Sequence, residues 1–288
     1  MFGKIIDTHV HIWNLEKASY SWLEHSDPLL NRTYHIEELG EQRKQAGITA
    51  GVLVQSANNL EDTDWMLAVA AQTDWIRGVV GWLPLQNPEA TAGLLADKYS
   101  KNLYFKGVRH LIHNEPDPEW LLQERVLESL RILASYGLSY DLVGTLPAHI
   151  QTALTLAREV PGLRMVFDHL NQPPIATRER FGRWGELMQE AARHPQFFIK
   201  LSGLGTASQQ GPDWSAAVVA PYVAFALEQF GAERCMCGSD WPVGLQAGSY
   251  MHTWEVYSEV INGLLNPEEA EKVLCGNARE FYCLEQGL

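Results

Sequence analysis

The chain has 288 residues, with 22 Lys and Arg against 35 Asp and Glu and a formal charge of −13. At 46% hydrophobic and 20% charged, it is too apolar for intrinsic disorder. Its acidity argues against nucleic acid or an anionic membrane surface as partner, since both reward clustered Lys and Arg. There is no apolar run of about 18 residues to span a bilayer. Early charged residues leave no signal-peptide core. The four cysteines (Cys235, Cys237, Cys275, Cys283) fall in the last fifth of the chain, which is no disulfide framework for this size. A reducing cytoplasm is the expected compartment. Cys235-x-Cys237 reads as two small core residues on one strand face rather than a metal site. Ten tryptophans and ten histidines suit a polar, aromatic-lined cleft.

Eight β-rich segments are predicted, at 4–9, 50–56, 76–84, 105–112, 138–145, 164–170, 197–203 and 235–240. Several are near-continuous apolar runs, as expected of strands covered on both faces. Helical patterns fill the gaps. One runs over 119–134 with Gly137 as its stop. Another starts at Asn266-Pro267-Glu268-Glu269, with an N-cap, a proline at the first helical position and early acids. Eight β–α units point to a single-domain α/β protein over residues 1–288, a distorted (β/α)8 TIM barrel. The alternative, an open doubly wound sheet, calls for a Gly-rich loop after the first strand. His-x-His stands there instead.

Active sites of such barrels form where strands end. Strand one supplies Asp7, His9 and His11, which alternation places on one side. Two imidazoles at a barrel mouth make a metal site or an electrophilic pair. Strand four supplies Arg109 and His113 on one face and His110 on the other. Arg109 needs an anionic or carbonyl partner, either substrate or a neighbouring acid such as Asp141 on strand five. On strand six, alternation lets only one of Asp168 and His169 point inward, and His169 is chosen. Lys200 on strand seven is either a Schiff-base nucleophile or, as favoured, the partner of an internal acid; Ser202 shares its face. Segment 206–213 reads as a long loop. On strand eight Asp240 ends the strand, with Gly238 leaving room beside it and Pro242 ending the pairing. A carboxylate facing histidines is placed to take a proton from water. No G-x-S-x-G elbow supports a serine triad.

At these residues the chain resembles the amidohydrolase superfamily, in its amidohydrolase-related (family 2) branch of sugar lactonases. The blocks are IIDTHVHIWNLEKASYSWL, FKGVRHLIHNEPDPEWLL, MVFDHLNQPPI, IKLSGL and MCGSDWPVGLQAGSY, in order from Lys4 to about Glu280. Glu115 to Pro118 and Gly238 to Val243 look closest to L-fuconolactonase- and L-rhamnonolactonase-like members. The resemblance implies a hydrolase that opens an aldonolactone to its acid. Asp240 would activate water, and His9, His11 and His169 would act directly on the substrate or through one divalent, zinc-like ion held with Asp240. Arg109 and His110 would bind substrate, and Trp13, Trp22 and Trp241 would offer apolar faces to the sugar. No carboxylated-lysine bridge of the binuclear branches is evident, so one ion at most is expected. The chain departs from the branch at Asn171 and Gln172, and at Val143-Gly144-Thr145, where substrate preference would be altered. Rival readings are a lactonase for a pyrone or muconolactone dicarboxylate, a metal-dependent decarboxylase, and a silent barrel that binds a sugar acid. The expected assembly is a monomer or homodimer.

Overall fold

The computed structural model describes residues 4–25 and 27–284. All eight predicted strands are present: β1 Ile5–Val10, β2 Ile48–Val54, β3 Ile76–Gly81, β4 Phe105–Arg109, β5 Ser139–Leu142, β6 Arg164–Phe167, β7 Phe197–Leu201 and β8 Cys235–Cys237. Each lies parallel to the next in sequence order. Beyond β8 the chain joins back to β1. The Asp240 N–H donates to the His9 carbonyl at 2.8 Å, and the His11 N–H donates to the Trp241 carbonyl at 2.7 Å. The result is a (β/α)8 barrel. Strands β3 to β8 are shorter than the apolar runs suggest, and His11, His169 and Asp240 lie in loops at the mouth.

The strands are apolar on both faces because both are buried. Ile6, Val52, Val80, Val166 and Met236 form one cluster inside the barrel, and Leu53, Val79, Val108 and Phe167 belong to a second that packs on the helices. Phe281, which ends the last helix Asn277–Phe281, and Tyr282 and Leu284 after it join the inner cluster and plug the bottom of the barrel. Helices Leu60–Ala70, Pro88–Asp97, Glu124–Ser135, Pro147–Glu159, Gly182–Ala191, Ala216–Phe230 and Tyr250–Leu264 follow β2 to β8 in turn. Among the described residues no helix is long and apolar enough to cross a membrane.

Local signals act as expected at several helix ends. Asn266 Oδ1 accepts from the Glu268 and Glu269 N–H groups at 3.0 Å each, and Glu269 reaches back to the Asn266 N–H. Gly137 follows Glu124–Ser135 with φ +69°, the left-handed stop that glycine favours. The single helix expected over 119–134 is divided. A 3-10 turn at Trp120–Leu122 precedes the α-helix, and Gln123 is extended at ψ 135°. The break lays the Trp120 ring flat on His110, with centroids 3.9 Å apart. Cys235 and Cys237 are buried with unpaired thiols, as expected of core residues.

Candidate active site

The mouth of the barrel is built by departures from strand regularity. Along β1, Asp7 pairs with Gly51 and Val10 with Leu53, so three steps on β1 match two on β2. This bulge reverses the alternation. His9 and His11 therefore point into the barrel, and Asp7 points out. The Asp7 carboxylate accepts from the Ser239 N–H at 2.8 Å and the Tyr250 hydroxyl at 3.0 Å. The expectation of one shared face for Asp7, His9 and His11 is corrected accordingly.

A second correction concerns strand six. Asp168 keeps the parity of Val166 and points inward. His169 starts a left-handed run, with φ 54° at His169 and 50° to 55° through Gln172. That turn brings the His169 ring in as well, where its Nδ1 lies 2.9 Å from Ser202 Oγ. Both members of the pair thus face the barrel interior. Asp240 also has positive φ, 61°, a backbone state that non-glycine residues seldom adopt. It aims the carboxylate at the histidines. Two glycines permit the close approach. A Cβ on Gly238 would sit 2.6 Å from His9 Cβ, and one on Gly203 would sit 2.7 Å from His169 Nδ1.

The polar groups then meet. Asp240 Oδ1 lies 3.3 Å from His11 Nε2, 3.7 Å from His9 Nε2 and 3.9 Å from His169 Nε2. His9 Nε2 and His11 Nε2 are 3.1 Å apart. His11 Nδ1 faces the Val54 carbonyl at 2.8 Å. Only a donor satisfies a carbonyl, so the proton is placed on Nδ1 and Nε2 presents a lone pair. His9 Nδ1 lies between Lys200 Nζ at 3.2 Å and Asp168 Oδ1 at 3.3 Å. Either tautomer of His9 is served: Nδ1 accepts from Lys200, or it donates to Asp168 and leaves Nε2 an acceptor, 3.3 Å from Arg109 Nη1. In the second state two imidazole lone pairs and one carboxylate oxygen converge, with edges of 3.1, 3.3 and 3.7 Å. Ligand atoms of a tetrahedral zinc-like ion, bonded at ~2.0–2.1 Å, stand ~3.3 Å apart. The residues fit a divalent cation, and His9, His11 and Asp240 are the set that would hold it.

Burial opposes charge throughout, and local pairing decides the outcome. It holds His9 well below its usual range and acts against the charge of Asp240. His169 and Arg109 act against it there, and the carboxyl stays below the usual carboxylate range. Burial also opposes the charge of Asp168, but Lys200, His9 and Arg109 hold it well below normal.

Arg109 is 3% exposed and tied on several sides. Nη1 donates to Asp168 Oδ2 at 3.0 Å, Nε donates to Gln55 Oε1 at 3.1 Å, and Nη2 meets the Gln55 carbonyl. Its acid partner is Asp168, whereas Asp141 is taken by Lys200 at 2.6 Å. The favoured role of Lys200 as an internal partner is what the structure shows. Gln55 was not singled out from sequence, although a polar residue ending the apolar run of β2 is the signal that found the others.

Above these groups opens a cavity of about 240 Å³, lined by His11, Arg109, His169 and Asp240 at its floor. Trp22, His113, Thr145, Gln172 and Thr206 stand on its walls. Three of the positions where the chain departs from the sugar-lactonase pattern, Val143, Thr145 and Gln172, thus face the cavity. Three residues expected to bind substrate are not among its lining. His110 is sandwiched: Trp82 Nε1 donates to its Nδ1 at 3.0 Å, Glu115 takes its Nε2 at 2.6 Å and Trp120 covers its face. Trp13 turns under the first loop, where it meets Trp22 and Tyr34 edge-on. Trp241 packs on Tyr34 from the other side. Of the three tryptophans only Trp22 reaches the cavity.

The amidohydrolase family profile matches residues 6–284. The chain belongs to the amidohydrolase family. An L-fucono-1,5-lactonase of Burkholderia ambifaria is 33% identical to this amidohydrolase over 98% of the chain and 96% of its own length. An L-rhamnono-gamma-lactonase of Scheffersomyces stipitis is 22% identical, covering 97% of this chain and 98% of that protein. Among solved structures, an amidohydrolase from Burkholderia multivorans with bound zinc matches with a TM-score of 0.90 and 26% identity, over 98% of this chain and 100% of that one.

Proposed function

We infer that this amidohydrolase opens a sugar-derived lactone, of the fucono- or rhamnono-lactone type, to its aldonic acid. The observation that carries the reading is the Asp240 carboxylate, ionised and facing His9, His11 and His169 at the floor of the cavity. The lactonase relatives support it. Asp240 takes a proton from water as the water oxygen attacks the lactone carbonyl. The histidines face the developing oxyanion. The ring C–O bond then breaks, and the released alkoxide recovers the proton from Asp240. A divalent, zinc-like ion on His9, His11 and Asp240 supplies carbonyl polarisation and a more acidic water when bound. Thr145, Gln172, Thr206 and His113 offer neutral hydrogen-bonding groups to sugar hydroxyls, and Trp22 an apolar face.

A pyrone or muconolactone dicarboxylate fits the cavity poorly. Among the described residues Arg109 is the only Arg or Lys in its lining, and Asp168 and Gln55 already take its donors. A lactone panel read by a pH indicator tests the assignment. Acid release from neutral aldonolactones is expected. Release only from dicarboxylate lactones, carbon dioxide in place of acid, or binding of sugar acids without turnover would each replace it.

A further inference from the structure

The ring of His169 is held by one neighbour. Ser202, the first residue after β7, is 0% exposed. Its Oγ accepts from the His169 backbone N–H at 3.3 Å and lies 2.9 Å from His169 Nδ1. Among the described residues this Oγ has no other hydrogen-bond partner. A hydroxyl carries one proton and two lone pairs. The backbone N–H takes a lone pair, so the hydroxyl proton has a single place to go, a bare Nδ1 on His169. A proton on Nδ1 instead would leave the buried O–H without an acceptor, and buried polar groups are seldom left unpaired. The imidazole proton therefore sits on Nε2. Nε2 faces Asp240 Oδ1 at 3.9 Å, at the floor of the cavity that both residues line. That distance is beyond hydrogen-bond reach, so the proton is not spent on the carboxylate. His11 is set the other way: its Nδ1–H meets the Val54 carbonyl and its Nε2 presents a lone pair. The two rings thus offer opposite chemistry, an acceptor on His11 and a donor on His169.

We propose that Ser202 is a positioning residue of the reaction: it fixes His169 as the Nε2–H tautomer, so that a neutral imidazole donates to the lactone carbonyl oxygen as negative charge gathers there. The donor is in place before the substrate arrives, and no group has to reorganise during the attack. The oxygen is most negative in the transition state, so the contact acts on kcat more than on KM. No bond to His169 forms or breaks, and the proton of the attacking water still goes to Asp240.

The proposal rests on the lactonase reading for the oxygen that Nε2–H meets, and the test separates the two. Proton–nitrogen NMR correlations of the histidine rings, recorded at mildly alkaline pH without substrate, distinguish a protonated ring nitrogen from a bare one. A His169→Asn variant assigns the signals. The wild type is expected to show Nε2 protonated and Nδ1 bare. In Ser202→Ala, Nδ1 loses its donor and the ring populates the Nδ1–H form. The kcat on the best lactone should then fall at least about tenfold, toward the 10²- to 10³-fold that loss of one oxyanion donor costs, with KM within a few fold. Wild-type His169 protonated on Nδ1 overturns the proposal, and that spectrum decides even where Ser202→Ala does not fold. A Ser202→Ala ring that keeps the wild-type tautomer overturns it too, as does one that changes tautomer with kcat unmoved or with the loss confined to KM. A wild type with the expected tautomer and no turnover of any lactone sinks the lactonase reading and leaves the hold of Ser202 on His169 standing.

Discussion

Arg109 reaches Asp168 at 3.0 Å with both side chains withdrawn from solvent, and Asp168 also carries Lys200. One carboxylate thus answers two buried cations. Removing it leaves Arg109 without an acid and Lys200 with Asp141 alone, and breaking a buried pair from one side costs about 3–5 kcal/mol. Asp168→Asn is therefore expected to lower the urea unfolding free energy by roughly that amount. A loss below 1 kcal/mol would show that the cations find other partners.

Asp240→Asn keeps the size of the side chain and removes its basicity. Loss of a general base costs about 10²- to 10⁴-fold, and the fall should appear in kcat on the best lactone with little change in Tm. Retention of full activity would remove Asp240 from the mechanism.

Zinc should raise the Tm of the wild-type protein. At a hundredfold excess over Kd the gain is about 2.7 kcal/mol. His11→Ala deletes one corner of the donor triangle and should abolish that shift. Thermal unfolding with and without zinc, for both proteins, checks it. A shift that survives in His11→Ala would place the ion elsewhere.

His110 touches Trp82, Glu115 and Trp120 and is outside the lining of the cavity. His110→Ala should cost stability, of the order of 2 kcal/mol for a buried hydrogen-bonded ring. The KM for the lactone should stay within a few fold. A selective rise in KM would restore His110 as a substrate ligand.

Burial pushes the Asp62 carboxyl up to about 6, although it accepts from the Tyr20 hydroxyl and the Ser56 and Ala57 N–H groups. A raised folded-state pKa means that the folded protein holds the proton more tightly. The resulting stability is full below the unfolded value of 3.8 and is lost as pH rises through 6. The stability of the wild type relative to Asp62→Asn should therefore increase as pH falls from 7 to 4.5, by roughly 2 kcal/mol. Urea midpoints at the two pH values read the change, and a difference independent of pH would contradict it.

The barrel was legible because its signals are repeated: an apolar run, a polar end and a helical stretch, eight times over. His9, His11, His169, Arg109 and Asp240 were found as polar residues at those ends. What alternation missed were single backbone irregularities. The bulge between Asp7 and Val10 and the left-handed run from His169 each reverse a face, and neither has a compositional mark in the residues concerned. Asp168 was sent outward by the same rule that failed at Asp7. Trp13 and Trp241 were misplaced for another reason. A tryptophan near a mouth serves equally as lining or as loop packing, and only the tertiary partner Tyr34 decides.

The seam between β1 and the residues after β8 has a consequence for how activity arises. The proposed ion set takes His9 from the first strand, His11 from just past it and an aspartate from just past the last. Contacts this distant in sequence are costly to form and slow the folding of a domain. A barrel with seven strands docked would have most of its buried surface and none of its chemistry. On the proposed mechanism turnover is therefore a reporter of ring closure, because neither the catalytic set nor the proposed ion site is assembled while the eighth strand is still free.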